Sequence, residues 1–157
     1  MAWSEPIIDR TLADVNFAKS KLAEWIRDTQ SIPYDLKGSL ISADLTRIED
    51  DIKYLSETLD SLGYSMSLIE KTWVDSDVPT IADVTRILGN VSTMIANYCQ
   101  QAGVPAVPTT MLSYTDINSI ELNLMKLNKS LDAMISSFKK SGTIKSGGLR
   151  LLPQKRG

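Results

Sequence analysis

Four stretches of this chain repeat one apolar spacing, and that spacing limits the folds open to it. Each copy starts with an aspartate, followed by an aliphatic residue, an Asn or Thr, one free position and an Ala or Ile. Further apolar residues come four and seven positions later. The copies read Asp14-Val15-Asn16-Phe17-Ala18…Leu22…Trp25 and Asp44-Leu45-Thr46-Arg47-Ile48…Ile52…Leu55. The other two read Asp83-Val84-Thr85-Arg86-Ile87…Val91…Met94 and Asp116-Ile117-Asn118-Ser119-Ile120…Leu124…Leu127. Counted from the first aliphatic, the apolar residues fall at i, i+3, i+7 and i+10. On a helix of 3.6 residues per turn these make one stripe, whereas a strand would need alternation every second residue. The stripe continues through Ile26, through Leu59 and Leu62, through Ile95 and Tyr98, and through Leu131, Met134, Ile135 and Phe138.

The ends of the helices are signalled as well. Thr11, Thr80 and Ser113 each lie three residues before a motif aspartate, Asp14, Asp83 or Asp116. Such a hydroxyl accepts from the third backbone N–H of the helix. The aspartate reaches back to the cap and favours the positive end of the helix dipole. In the second copy that position is Ile41, so Ser42 is expected to cap one residue later, with Asp44 in the first turn but not at the third position. Gly63 and Gly103 suit the left-handed position after a helix, Pro33 follows the first helix at a distance, and Gly142 closes the fourth. The spacing predicts helices at about 11–28, 42–62, 80–101 and 113–140. Residues 64–78 show no period, although Ser67-Leu68-Ile69-Glu70 has the form of a helix start.

Trp3…Pro6…Thr11-Leu12-Ala13-Asp14-Val15 parallels Trp73…Pro79-Thr80-Ile81-Ala82-Asp83-Val84. The expected fold is therefore all-α: a four-helix bundle over residues 1–140 from a tandemly duplicated helix hairpin. The half-repeats are 1–70 and 71–140, with Trp3 and Trp73 as equivalent anchors. At 157 residues, 43% of them hydrophobic, one domain can bury enough surface to fold without staples.

Composition removes most chemistry. The chain has no histidine, the commonest acid/base and metal ligand, and one cysteine, Cys99, which permits neither an internal disulfide nor a cysteine-cluster metal site. With no histidine to activate it, Cys99 reads as a small buried hydrophobe. Glu49-Asp50-Asp51 occupies consecutive helix positions and points three ways, and Asp75-Ser76-Asp77 lacks the glycine and glutamate of a calcium loop, so both read as solvated. Gly147-Gly148 has no Lys-Ser/Thr signature of a phosphate loop. No enzyme activity and no cofactor or metal is expected. No run nears the roughly 18 apolar residues needed to span a bilayer, and Met1-Ala2-Trp3-Ser4-Glu5-Pro6 lacks a signal peptide's basic and apolar regions, so synthesis in the cytoplasm is expected.

Charge is distributed unevenly. Residues 1–138 hold 11 Lys/Arg against 19 Asp/Glu, whereas residues 139–157 hold six cations and no acid. The acidic body repels nucleic acid. The glycine-rich tail, 141–157, excludes a stable helix, and its leucines are too apolar for a purely solvating segment. It reads as an extended docking arm, with a frayed terminus as the alternative. Lys139, Lys140, Lys145 and Arg150 steer it to an acidic surface, and Leu149, Leu151 and Leu152 supply the buried contact.

Ser42-Ala43-Asp44-Leu45-Thr46-Arg47-Ile48-Glu49-Asp50-Asp51-Ile52-Lys53-Tyr54-Leu55 and Val78-Pro79-Thr80-Ile81-Ala82-Asp83-Val84-Thr85-Arg86-Ile87 resemble a motif common in virion and tail-associated proteins of bacteriophages and prophages of Gram-positive bacteria. The form is Thr-x-x-Asp-Val/Leu-Asn/Thr-Arg-Ile-Glu-x-Asn-Ile. The opening Trp3…Asp9-Arg10-Thr11-Leu12-Ala13-Asp14-Val15 and the ending Phe138…Ser141-Gly142-Thr143 are similar to small proteins encoded among phage structural genes. Leu88 departs from the motif by standing where it has glutamate, and Gly89-Asn90 and Asp50-Asp51 vary around its asparagine. The resemblance implies a structural role in a particle, made in the bacterial host cytoplasm, with other virion proteins and copies of itself as partners. It carries no active site. The alternative expectation is a cytosolic helical adaptor, inhibitor or chaperone that grips a protein partner.

Overall fold

The computed structural model describes residues 3–28, 36–74, 77–98, 103–111 and 113–140, with side chains through Glu24 in the first helix and Ser137 in the last. All four predicted helices form: α1 (Leu12–Asp28), α2 (Ser42–Ser61), α3 (Ile81–Tyr98) and α4 (Tyr114–Lys140). No strand occurs among the described residues. The protein is all-α. Residues 64–74 are not helical, so the apparent helix start at Ser67 does not propagate.

The capping chemistry sets three of the helix starts. At α1 the Thr11 hydroxyl and N–H both donate to Asp14 Oδ2 at 2.7 Å, and Asp14 N–H returns a bond to Thr11 Oγ1 at 3.3 Å. Thr80 and Asp83 repeat this at α3, and Ser113 and Asp116 exchange bonds of 3.1 Å at α4. At α2 the expectation fails by one residue. Ile41, not Ser42, is the N-cap, so Asp44 does stand at the third position and accepts from Ile41 N–H at 3.3 Å. An isoleucine side chain offers no acceptor, so only the carboxylate half of the box exists there. At the other end of α2, Gly63 takes φ +90°, its N–H donates to Asp60 O, and Tyr64 N–H donates to Leu59 O, both at 2.9 Å. That double bond pattern closes the helix and turns the chain back.

Among the described residues three helices make the core, not four. The cluster of buried residues draws on α2, α3, α4 and the segments between them. In α2 it takes Leu45, Ile48, Ile52, Leu55 and Leu59; in α3, Ile87, Val91 and Met94; in α4, Ile117, Ile120, Leu124, Leu127 and Leu131. These are matching positions of the motif. Their spacing of three and four alternates along each helix, which is the apolar seam of a coiled coil.

The helices also run in the same direction. Arg47 of α2 pairs with Glu121 of α4, and Arg86 of α3 with Glu49 of α2, so the first halves lie level. At the far end the Tyr98 hydroxyl of α3 bonds Met134 of α4, and Tyr64, just past α2, meets Tyr98 edge-on with ring centroids 5.9 Å apart. Hairpin partners would run antiparallel. Instead, each connection between core helices returns along the bundle, and Trp73, Met111, Val104 and Val107 from these returns cover the core.

α1 stands apart. Its Ala18 is buried, but none of its described side chains joins the core cluster, and Leu12, Phe17 and Leu22 are 58%, 57% and 43% exposed. It lies against residues 36–41. A Cβ on Gly38 would fall 2.0 Å from the Asp14 carbonyl oxygen, so only glycine permits that approach. Ile120→Ala, which opens a cavity at the centre of the bundle, is expected to cost about 2–5 kcal/mol by urea denaturation. Leu22→Ala, at an exposed position, should cost less than about 1 kcal/mol.

Candidate functional site

Charged side chains flank the apolar seam on both sides, and most are buried. Fixed motif positions do the same work twice. The arginine three residues past the aspartate of one helix reaches the glutamate five past the aspartate of its neighbour. This joins Arg47 to Glu121 at 2.8 Å, and Arg86 to Glu49. The residue seven past the aspartate, Asp51 in α2 and Asn90 in α3, holds the backbone of an extended segment laid in the groove.

In the groove between α2 and α4 that segment is residues 3–10. Ser4 N–H donates to Asp51 Oδ1 at 2.9 Å, and Ile7 N–H donates to Glu121 Oε2. Arg10 exchanges two backbone bonds with the Asn118 amide, at 3.2 and 2.9 Å. Its guanidinium then turns inward, to Ile7 O at 2.6 Å and to Asp44 and Glu121 at 2.9 Å each. Arg47 joins the same two carboxylates. Trp3 lies against Tyr54, with ring centroids 5.8 Å apart.

The groove between α2 and α3 is filled by residues 64–74. The Asn90 amide accepts from Ile69 N–H at 3.3 Å and donates to Ile69 O at 2.8 Å, and Arg86 adds a bond to the same carbonyl. Trp73 Nε1–H donates to Glu49 Oε1, Lys71 pairs with Asp83 at 3.0 Å, and the Lys71 ammonium sits 3.9 Å from the centre of the Trp73 ring. Trp3 and Trp73 thus both belong to groove segments.

The third pairing of the same kind would join the corresponding positions of α4 and α3, which are Ser119 and Leu88. The departure from the motif at Leu88 therefore has its counterpart: where one helix lacks the arginine, the other lacks the glutamate. The remaining position, Asn123, is 0% exposed, and neither its Oδ1 nor its Nδ2 finds a hydrogen-bond partner.

This buried charge corrects one expectation. Glu49 and Asp51 are not solvated, being 6% and 1% exposed, although they do point to different segments as consecutive helix positions require. Each buried charged side chain among the described residues has a partner on another segment, with Arg10 Nε and Glu49 Oε2 the atoms left over. The side chains of Arg10, Asp44 and Glu121 are 2%, 7% and 1% exposed, so no substrate reaches them. Chemically the cluster is a clasp. No group of three or more metal-ligating side chains occurs among the described residues, and no helix there is long and apolar enough to cross a membrane.

Of the residues singled out in the sequence, Thr11, Asp14, Thr80, Asp83, Ser113 and Asp116 act as caps, and Asp44 caps through Ile41. Asp75 and Ser76 lie outside the described residues, as do Cys99 and the arm residues Lys145, Leu149, Arg150, Leu151 and Leu152. The side chains of Lys139 and Lys140 do so too. The clasp residues Arg10, Arg47, Arg86 and Glu121 were not anticipated. Their signal was in the motif, where charges sit immediately beside the apolar stripe.

Burial pushes the Asp51 carboxyl up from 3.8 to about 7, against the Ser4 N–H and Arg47, with Glu121 and Asp50 adding repulsion. The folded chain thus holds a proton that the unfolded chain releases, and this stabilisation is full at acid pH and lost as pH rises through about 7. Asp83 runs the other way. The Thr80 N–H and hydroxyl, then Lys71, lower it to about 2, so its contribution holds above 3.8 and is lost as pH falls towards 2. Asp51→Asn keeps an acceptor for Ser4 N–H and should raise the urea midpoint at pH 8 while leaving it unchanged at acid pH. Asn123→Leu, which removes an unpaired buried amide, should stabilise the fold by about 1–2 kcal/mol in the same assay.

No protein-family model matches the chain, and comparison with curated proteins and with solved structures gives no significant match.

Proposed function

We propose that the protein is a non-catalytic structural component of a bacteriophage particle, tail- or baseplate-associated, working as a subunit that packs against other virion proteins and copies of itself. The supporting observation is where the reactive-looking side chains are spent. The buried arginines and carboxylates clasp segments of the same chain. The motif that carries the phage resemblance supplies the caps, the seam and the clasps, which makes it a folding motif. What is left for function is outer surface.

On this reading residues 1–70 and 71–140 are tandem copies, each an extended Trp-bearing segment followed by two helices. Residues 141–157 form an arm that reaches a neighbouring subunit, where a ring or tube holds its target at high effective concentration. The adaptor reading keeps the same fold but predicts a monomer with one protein partner. Removing residues 141–157 should leave the far-ultraviolet circular dichroism intact and abolish assembly into particles or large oligomers. Normal assembly of the shortened chain would overturn the arm. Immunogold labelling of intact particles tests the location directly.

A further inference from the structure

One of the clasp carboxylates also borders an opening. A cavity of about 150 Å³ lies between α2 and residues 70–73, with Glu49, Asp50, Lys53, Glu70, Lys71 and Trp73 in its wall. Glu49 is 6% exposed. Its Oε1 accepts from Trp73 Nε1–H and from Arg86, whereas its Oε2 has no hydrogen-bond partner among the described residues. A buried carboxylate oxygen that has lost water and gained no donor is costly, so the wall is short of an N–H or O–H. It is short of positive charge as well. Lys53 is paired with Glu70 at 2.9 Å, Lys71 with Asp83 at 3.0 Å, and Arg86 with Glu49. That leaves Asp50 without an ion pair among the described residues.

These shortages describe a ligand. A guanidinium offers N–H donors in a rigid fork and can serve two neighbouring carboxylates at once, which the point charge of an ammonium does less well. The cavity has the volume of about five molecules of liquid water, enough to admit one. Ile69 and Val74, at either end of the segment that forms its outer wall, are 67% and 56% exposed. The fitting occupant is therefore an arginine with apolar neighbours. In the basic tail, Arg150 is the one cation with a leucine on each side, Leu149 and Leu151, and Leu152 follows.

We propose that Arg150 of one copy enters this cavity on a second copy, donating to Glu49 Oε2 and Asp50, while the adjoining leucines cover Ile69 and Val74. This rests on the reading of residues 141–157 as an arm and deepens it by naming the seat. A second copy follows from reach. Glu121 occupies the motif position of Glu49 and lies level with it, and Lys140 is 19 residues further along α4, about 28 Å up the bundle. The ten residues from Lys140 to Arg150 span at most about 35 Å. The descent alone uses most of that length, and the groove between α2 and α3 is on the side of the bundle away from α4. A neighbouring copy imposes no such path.

Fluorescence anisotropy of a labelled peptide of residues 139–157, titrated with the full chain, tests the seat. Saturable binding is expected below about 0.5 mM protein, weakening as salt rises. Asp50→Lys in the chain, or Arg150→Glu in the peptide, should each lower affinity at least about tenfold, and the two together should restore it, since the pair is only reversed. Thr72→Arg, at an exposed position beside the cavity, should block the peptide with the urea midpoint unchanged. In a Cys99→Ser background, mixing a Thr72→Cys chain with a Leu152→Cys chain should give a disulfide-linked pair on oxidation. No saturable binding would overturn the proposal. Binding indifferent to Asp50→Lys and Thr72→Arg would overturn this seat and leave the arm standing, and a link that forms only within a doubly substituted chain would overturn the contact between copies.

Discussion

Glu49 and Glu121 sit at the edge of the apolar seam, nearly out of reach of water, and the rest of the structure is arranged around keeping them there. A carboxylate withdrawn from water costs several kcal/mol unless opposite charge and hydrogen bonds replace the lost hydration. Each glutamate obtains that replacement from two sources, an arginine on a neighbouring helix and a donor on an extended segment. The two sources fix different things. The arginine sets the register of helix against helix, and the N–H donor sets where the return segment lies. One buried charge thereby specifies both layers of the fold at once, which apolar contact alone, being non-directional, does not.

The missing third clasp shows the same logic from the other side. Between α3 and α4 the arginine and glutamate positions hold Ser119 and Leu88, so neither charge is left without its partner. Asn123 keeps its motif position there but finds nothing to bond. Two of the three polar elements are absent together and the third is present, at the cost of a buried amide's hydration.

The helices were legible because their signals are local. Capping pairs three residues apart and an apolar stripe of helical period fix α1 to α4 within a few residues, and Gly63 closes α2 where its left-handed turn was expected. The clasps were less legible because each needs knowledge of which helices meet. Glu49-Asp50-Asp51 looks like a solvated run until α3 and residues 3–10 are placed on either side of it. Direction escaped for a related reason. The stripe on a helix is the same read either way, so it does not separate a hairpin from a parallel bundle. The charge positions do, since they pair in register only if the helices run together.

Residues 3–10 illustrate what parallel packing imposes on synthesis. Ile7 is anchored by Glu121 and Arg10 by Asn118, partners more than one hundred residues later in the chain. The opening segment therefore has no seat until α4 has left the ribosome. Local hairpins, which could fold as they emerge, are absent from the core, and loop closure over such spans is slow. Until α4 arrives, residues 3–10 have no groove to lie in, although they precede all four helices in the chain.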